Sequence, residues 1–154
     1  MKTINVITLG CSKNTVDSEH LAAQLHEYGY TIVFDSDRTD ADVVVINTCG
    51  FIGDAKQESI DTILRAAELK TAGKIEELFV VGCLSQRYAD ELRPELPEVD
   101  DFFGVNDWAG IVERLGAKYR NENETKRELA TPSHYAYLKI SARSHWVCGY
   151  CAIP

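Results

Sequence analysis

Three short, mostly apolar runs, each closed by a neighbouring glycine and cysteine, constrain the fold of this chain most strongly. They read INVITLGC, VVVINTCG and LFVVGC, and their cysteines are Cys11, Cys49 and Cys83. Apolar, β-branched runs of this length are typical of strands that are covered on both faces, as in parallel sheets. The cysteines are separated by 38 and 34 residues, enough for a strand, a helix and their loops. The pattern therefore predicts parallel strands joined by helices.

The apolar spacing along the chain predicts an alternation of strands and helices. We expect strands over residues 4–9, 30–34, 43–46, 78–81 and 101–104, and helices over residues 14–28, 54–69, 84–92 and 108–115. Asn14 is predicted to cap the first helix. This order indicates an α/β protein with an open, mostly parallel sheet and helices on both faces, a flavodoxin- or Rossmann-like three-layer sandwich.

The composition of the chain changes after residue 116. Residues 1–116 form the predicted α/β domain. Residues 117–133 carry mixed charges and few apolar side chains, so we expect a linker or mobile arm there. Residues 134–154 begin with the strand-like run YAYLKIS, which predicts the first strand of a second domain. Since this strand lies so close to the last residue, we expect a chain truncated before that domain.

Charge and hydropathy narrow the possible partners and the compartment. The formal net charge of the 154 residues is −8, which disfavours direct nucleic-acid binding by this domain and favours a basic protein partner. No apolar run approaches the roughly 20 residues that span a bilayer, and the first residues do not resemble a signal peptide. We therefore expect a cytoplasmic protein with no membrane partner, whose five cysteines stay reduced.

Cys11, Cys49 and Cys83 follow three predicted parallel strands, and ligands of open α/β sheets bind at the carboxyl ends of the strands. Three thiolates favour zinc or an iron–sulfur cluster over hard metal ions. The spacing alone leaves buried structural thiols, a zinc site and a cluster with one open iron as alternatives. Asn47 and Thr48 could donate hydrogen bonds to such a cluster, but residues of this kind more often satisfy a turn.

Four motifs carry a resemblance to a known family. LGCSKNTVDSE, NTCGFI followed by AKQESI, GCLSQRY, and PEVDDFFG together resemble the N-terminal domain of the methylthiotransferases, which are radical S-adenosylmethionine enzymes. The resemblance covers almost all of residues 1–116. It is strongest to the branch that modifies an aspartate side chain of the ribosomal small-subunit protein uS12. The tRNA-modifying branch is less similar, because Ser12 and Lys13 replace its usual glutamine and methionine.

The resemblance implies a cofactor and a reaction. In the family, the cysteines that match Cys11, Cys49 and Cys83 hold an auxiliary [4Fe–4S] cluster, and a sulfur donor and S-adenosylmethionine supply the methylthio group. The expected function is therefore the auxiliary-cluster domain of a uS12 methylthiotransferase. A tRNA methylthiotransferase domain and a flavodoxin-like binding module with structural or zinc-bound thiols remain the alternatives.

A second cysteine site is predicted near the end of the chain. KISARSHWVCGYCAIP resembles the family's C-x-x-x-C-x-x-C loop, whose three thiolates hold the cluster that binds S-adenosylmethionine. Cys148 and Cys151 match its last two cysteines, but Ser144 stands at the first position. A serine hydroxyl is a poor cluster ligand at neutral pH, so we expect this site to be incomplete and the chain alone to be inactive.

Overall fold

The protein is built around a five-stranded parallel sheet. The structure is a computed structural model, which describes residues 2–37, 41–50, 53–123 and 125–140. The strands are β1 (Thr3–Thr8), β2 (Thr31–Phe34), β3 (Val43–Thr48), β4 (Glu77–Gly82) and β5 (Asp101–Phe102). The helices are α1 (Ser12–His26), α2 (Gly53–Thr71), α3 (Cys83–Glu95) and α4 (Trp108–Arg114), followed by a short 3-10 helix at Asn121–Asn123.

The strand order is β2-β1-β3-β4-β5, and all four pairings are parallel. This is the flavodoxin-type order, in which the sheet is extended in both directions from its first strand. The central strand, β3, is buried at each of its six residues, as its continuous apolar run predicts. The predicted fold class, an open parallel α/β sheet, is confirmed.

Alternate side chains of the central strands face two separate apolar cores. Val43 and Val45 point to the face that α1 and α4 cover, together with Leu21 and Ile111. The next residues along the same strand, Val44 and Ile46, point to the face that α2 and α3 cover. The period of two along each strand thus separates the two helix layers and produces the three-layer sandwich.

The helix boundaries differ from the prediction in one respect that matters for the site. Asn14 does not cap α1, because the helix already begins at Ser12 and its N-cap residue is Cys11. Asn14 instead lies inside the first turn and is buried. Within the part of the chain that the structure describes, no helix is both long and apolar enough to cross a membrane.

The segment after residue 116 packs against α1, unlike the mobile arm that its composition predicts. We call residues 117–140, apart from residue 124, the strap. Arg127 of the strap forms an ion pair with Glu19, whose side chain is 0% exposed, and Lys139 donates to Asp17 at 2.6 Å. The charges that indicated a solvated linker are therefore partners for carboxylates on α1. Whether residues 117–133 separate two domains stays a prediction.

The sequence predicts a strand over residues 135–141, but residues 135–140, the part of it that the structure describes, are not in a strand. The apolar side chains Leu138 and Ile140 are 82% and 89% exposed. Alternation of side chains predicts a strand only where a neighbouring strand can pair with it, and no described strand lies beside this segment.

Candidate metal centre

The three predicted thiol residues follow strands that end at the same edge of the sheet. Thr8 of β1 is paired with Asn47 of β3, and Thr48 of β3 is paired with Gly82 of β4. Cys49 and Cys83 therefore follow two directly paired residues. Cys11 comes three residues after the end of β1 and is the N-cap residue of α1. Strand register thus places all three cysteines at the carboxyl edge, as the sequence predicts.

Glycines allow the three cysteine loops to pack against one another. A Cβ atom at Gly10, which has a φ of +93°, would lie 2.9 Å from Cys49 Sγ. A Cβ atom at Gly50 would lie 2.9 Å from the Cα atom of Leu84 and 3.4 Å from the carbonyl carbon of Cys83. The loop of Cys11 therefore contacts Cys49, and the loop of Cys49 contacts Cys83.

The thiols differ in their surroundings. Cys11 is exposed, whereas Cys49 and Cys83 are half-buried, and none of the three is in a disulfide. Burial raises the pKa of the Cys83 thiol, and the nearby Cys49 and Cys11 raise this pKa further, while Arg87 acts in the opposite direction. Cys49 and Cys11 are thus close enough to the Cys83 sulfur to disfavour its thiolate form.

Cys49 is held at the end of β3 by a buried serine of α2. The Ser59 hydroxyl accepts a hydrogen bond from the main-chain N–H of Cys49 at 3.1 Å and donates to its carbonyl oxygen at 2.9 Å. Both main-chain polar groups of Cys49 are therefore satisfied by one side chain. This fixes the backbone from which the thiol projects.

Asn47 and Thr48 direct their side chains into the protein. Asn47 Nδ2 donates to the carbonyl oxygen of Asn14 at 3.0 Å and to Ser18 Oγ at 3.1 Å. Thr48 Oγ1 donates to the carbonyl oxygen of Val81 at 2.6 Å. The Asn47 amide and the Thr48 hydroxyl therefore donate to groups within the protein and not toward a cluster. This favours the interpretation that both residues stabilise the strand ends.

Three polar residues organise this edge: Asn14, which the sequence predicts only as a helix cap, and Ser18 and Ser59, which sequence reasoning missed. All three are buried. A signal for two of them is present in α1, because the apolar spacing of Leu21 and Leu25, extended backwards, reaches Ser18 and then Asn14. Polar residues on the buried face of a helix need partners, and here those partners are the strand ends.

The donor set and its surroundings fit a soft, anionic metal group. Helices α1 and α3 begin at two of the cysteines, α1 after Cys11 and α3 at Cys83, and helix N-termini stabilise nearby negative charge. The hydroxyl of Ser85, in the first turn of α3, is buried and has no hydrogen-bond partner among the residues that the structure describes. Across the described residues, no three Cys, His, Asp or Glu side chains are close enough to bind a single metal ion. A cluster binds its thiolates at different iron atoms, so its ligands need not meet at one point.

The second predicted site lies outside the described residues. It comprises Cys148, Cys151 and the serine at position 144. The assignment of these residues to a second, incomplete cluster site stays a prediction.

The fold and the site define a three-layer α/β domain with three thiols at the carboxyl edge of a parallel sheet. Residues 3–104 match the uncharacterized protein family UPF0004, and the chain belongs to this family.

Curated relatives are similar over almost the whole chain. It is 56% identical to "Ribosomal protein uS12 methylthiotransferase RimO" of Bacteroides fragilis over 153 residues, which are 99% of this chain and 35% of the relative. The identity is 54% to the protein of the same name from Bacteroides thetaiotaomicron, again over 99% of this chain and 35% of the relative. The identity is 52% to the protein of the same name from Cytophaga hutchinsonii, over 98% of this chain and 35% of the relative. The chain thus spans about a third of the length of these relatives.

Proposed function

We propose that this chain is the auxiliary-cluster domain of a uS12 methylthiotransferase, with a [4Fe–4S] cluster held by Cys11, Cys49 and Cys83. The observation that carries the proposal is the shared edge: three thiols follow three register-aligned strands, and their loops touch through glycines. Soft thiolates are the ligands that iron–sulfur clusters prefer.

The chain's own residues would bind and orient this group. Cys11, Cys49 and Cys83 would hold a [4Fe–4S] cluster through three thiolates, and the iron left without a protein ligand would be available to the sulfur that is transferred. Ser59 fixes the backbone of Cys49, and the starts of α1 and α3 favour the negative charge of the thiolates. Gly10 and Gly50 leave room because neither carries a side chain.

The proposed substrate is an aspartate side chain of uS12, and S-adenosylmethionine and a sulfur donor are the other reactants. This substrate assignment is supported by the relatives, which are named as methylthiotransferases of ribosomal protein uS12. The net charge of −8 is compatible with a basic protein and disfavours tRNA as a direct partner of this domain. Because Ser144 stands where a third thiol would be needed at the second site, we expect the isolated chain to bind one cluster and not to complete the reaction.

Anaerobic reconstitution of the chain with iron and sulfide tests the metal assignment. We expect about four irons and four sulfides per chain, with broad visible absorption. Replacing Cys11, Cys49 and Cys83 by serine should abolish both. Replacing Cys148 and Cys151 by serine is the matched control and should leave the cluster in place. Stoichiometric zinc, or iron that survives the triple replacement, would contradict the proposal and support a flavodoxin-like module.

The substrate assignment needs a separate assay. The full-length protein of a relative, with only residues 1–116 of this chain in place of its matching segment, retains the relative's own second site and is incubated with S-adenosylmethionine and either uS12 or tRNA. Mass spectrometry should detect a methylthio group on an aspartate of uS12. A modified tRNA and unmodified uS12 would instead favour the alternative branch.

A further inference from the structure

A single buried asparagine joins the loop of Cys11 to the strand end that carries Cys49. Asn14 is 5% exposed and lies in the first turn of α1. Its Nδ2 group donates to the carbonyl oxygen of Leu9 at 2.9 Å and to the carbonyl oxygen of Thr48 at 3.1 Å. Leu9 belongs to the loop that leads to Cys11, and Thr48 immediately precedes Cys49. One amide therefore connects the two chain segments from which these thiols project.

The side-chain oxygen and the main-chain carbonyl oxygen of Asn14 also accept hydrogen bonds from residues at the two cysteine segments. Its Oδ1 atom accepts a hydrogen bond from the Cys11 thiol, with 3.8 Å between oxygen and sulfur. Its main-chain carbonyl oxygen accepts from Asn47 Nδ2 at 3.0 Å, a second link between α1 and β3. Asn14 thus contacts Cys11 directly and is bonded to the two residues that precede Cys49.

We propose that Asn14 is a positioning residue, which sets the separation of the Cys11 and Cys49 thiols and thereby the geometry of the metal site. The role in metal binding rests on the proposed function, whereas the effect on the thiol separation does not.

The chemistry at position 14 requires an amide of this length. Two carbonyl oxygens need two N–H donors from one atom, and in the metal-free chain an acceptor also faces the protonated Cys11 thiol. Aspartate has the same shape but no donor, so its carboxylate would face two carbonyl oxygens. Serine has one donor. Glutamine adds a methylene group to a buried position, where extra volume is costly.

A matched control lies in the same strand system, away from the thiols. Asn5 is 2% exposed, in β1. Its Nδ2 donates to the carbonyl oxygen of Ser36 at 2.7 Å, and its Oδ1 accepts from the main-chain N–H of Ser36 at 3.2 Å. Asn5→Ala therefore removes a buried amide with two main-chain bonds without touching a cysteine loop. The effects of Asn5→Ala therefore show what is expected when an asparagine with only a structural role is removed.

The first experiment uses the metal-free, reduced chain. A short bis-alkylating reagent bridges neighbouring thiols, and peptide mass spectrometry measures the rate at which Cys11 and Cys49 become linked. We expect the rate to fall about tenfold in Asn14→Asp, the shift that follows from losing two neutral hydrogen bonds. Asn14→Ser should fall between this variant and the parent chain. Asn5→Ala should react at the parental rate.

The second experiment uses the reconstituted chain. The electron paramagnetic resonance spectrum and the reduction potential of the cluster should change in Asn14→Ser and in Asn14→Asp, and should be unchanged in Asn5→Ala. Urea unfolding of all variants separates these effects from a loss of stability. If Asn14→Asp does not fold, Asn14→Ser carries both experiments, because it retains one donor.

The outcomes separate the two hypotheses. If bridging depends on Asn14 but the parent chain binds no cluster, the positioning role stands and the proposed function fails. Suppose instead that the parent chain binds a cluster, but the Asn14 variants match Asn5→Ala in bridging rate, spectrum and reduction potential. The positioning role is then overturned, and the proposed function stands.

Discussion

Replacing Gly10 by alanine tests whether the cysteine loops are packed as tightly as the structure shows. A Cβ atom at this position lies 2.5 Å from Cys49 Cβ and 2.9 Å from Cys49 Sγ, distances that real Cβ atoms essentially never show. Either the Cys49 side chain or the loop of Cys11 must therefore move. Gly73→Ala is the matched control, because Gly73 also has a positive φ, +72°, but has no heavy atom within 4 Å of the added Cβ.

The expected loss of stability has two parts. A side chain in the left-handed region costs about 1–2 kcal/mol, and this part applies to both glycines. The overlap with Cys49 applies to Gly10 alone, and overpacking of a tight site costs roughly 1–3 kcal/mol. We therefore expect Gly10→Ala to lose about 2 kcal/mol more than Gly73→Ala. With a urea slope of about 2 kcal/mol per molar, this difference moves the midpoint by about 1 M.

Equilibrium urea unfolding of the reduced, metal-free chain measures this difference, and reconstitution measures its effect on the site. The iron content should fall in Gly10→Ala and stay at the parental level in Gly73→Ala. Equal midpoints for the two variants, or a parental iron content in Gly10→Ala, would refute the idea that the contact between Gly10 and Cys49 determines the site.

Two further predictions concern the strap and the pH dependence of folding. Arg127→Met leaves the fully buried carboxylate of Glu19 without its ion-pair partner, so urea unfolding should show a loss of about 3–5 kcal/mol. Lys126→Met, which breaks an exposed pair on the same strap, should have a much smaller effect. Burial raises the pKa of Asp35 above its usual 3.8. This group therefore favours the folded state below pH 3.8 and loses that contribution as the pH rises through its folded pKa. As the pH rises from 3.8 through the folded pKa of Asp35, the parent chain should lose stability relative to Asp35→Asn. Urea midpoints of the two proteins that change in parallel with pH would contradict the raised pKa of Asp35.

The sheet and the position of the thiols were predictable because their signals are local. The β-branched run at Val43–Ile46 predicts a strand covered on both faces, and β3 is indeed the central strand. A cysteine directly after such a run lies at the carboxyl edge whenever the strands are parallel. No knowledge of distant residues is needed for either conclusion.

The strap and the polar contacts at the edge were not predictable in the same way. Glu19 and Arg127 are 108 positions apart, and one sequence does not indicate which of its many opposite charges meet. A charged segment therefore has the composition of a solvated linker even when its partner carboxylate is buried. The sequence predicts a helix cap at Asn14, because asparagine is strongly preferred at that position. Only the tertiary contacts show that its amide donates to the carbonyl groups of Leu9, in the loop before α1, and of Thr48, at the end of β3.

The way the site is divided along the chain has a consequence for its maturation. Each thiol belongs to a different strand–loop unit, and the units are 38 and 34 residues apart. An unfolded chain would have to close two long loops to bring three sulfur atoms to one metal group, which is entropically unfavourable. A pair such as Cys148 and Cys151 can chelate an ion while the chain is still unfolded, whereas this site exists only after β1, β3 and β4 have paired in register. Under the proposed function, metal loading at Cys11, Cys49 and Cys83 would therefore follow folding.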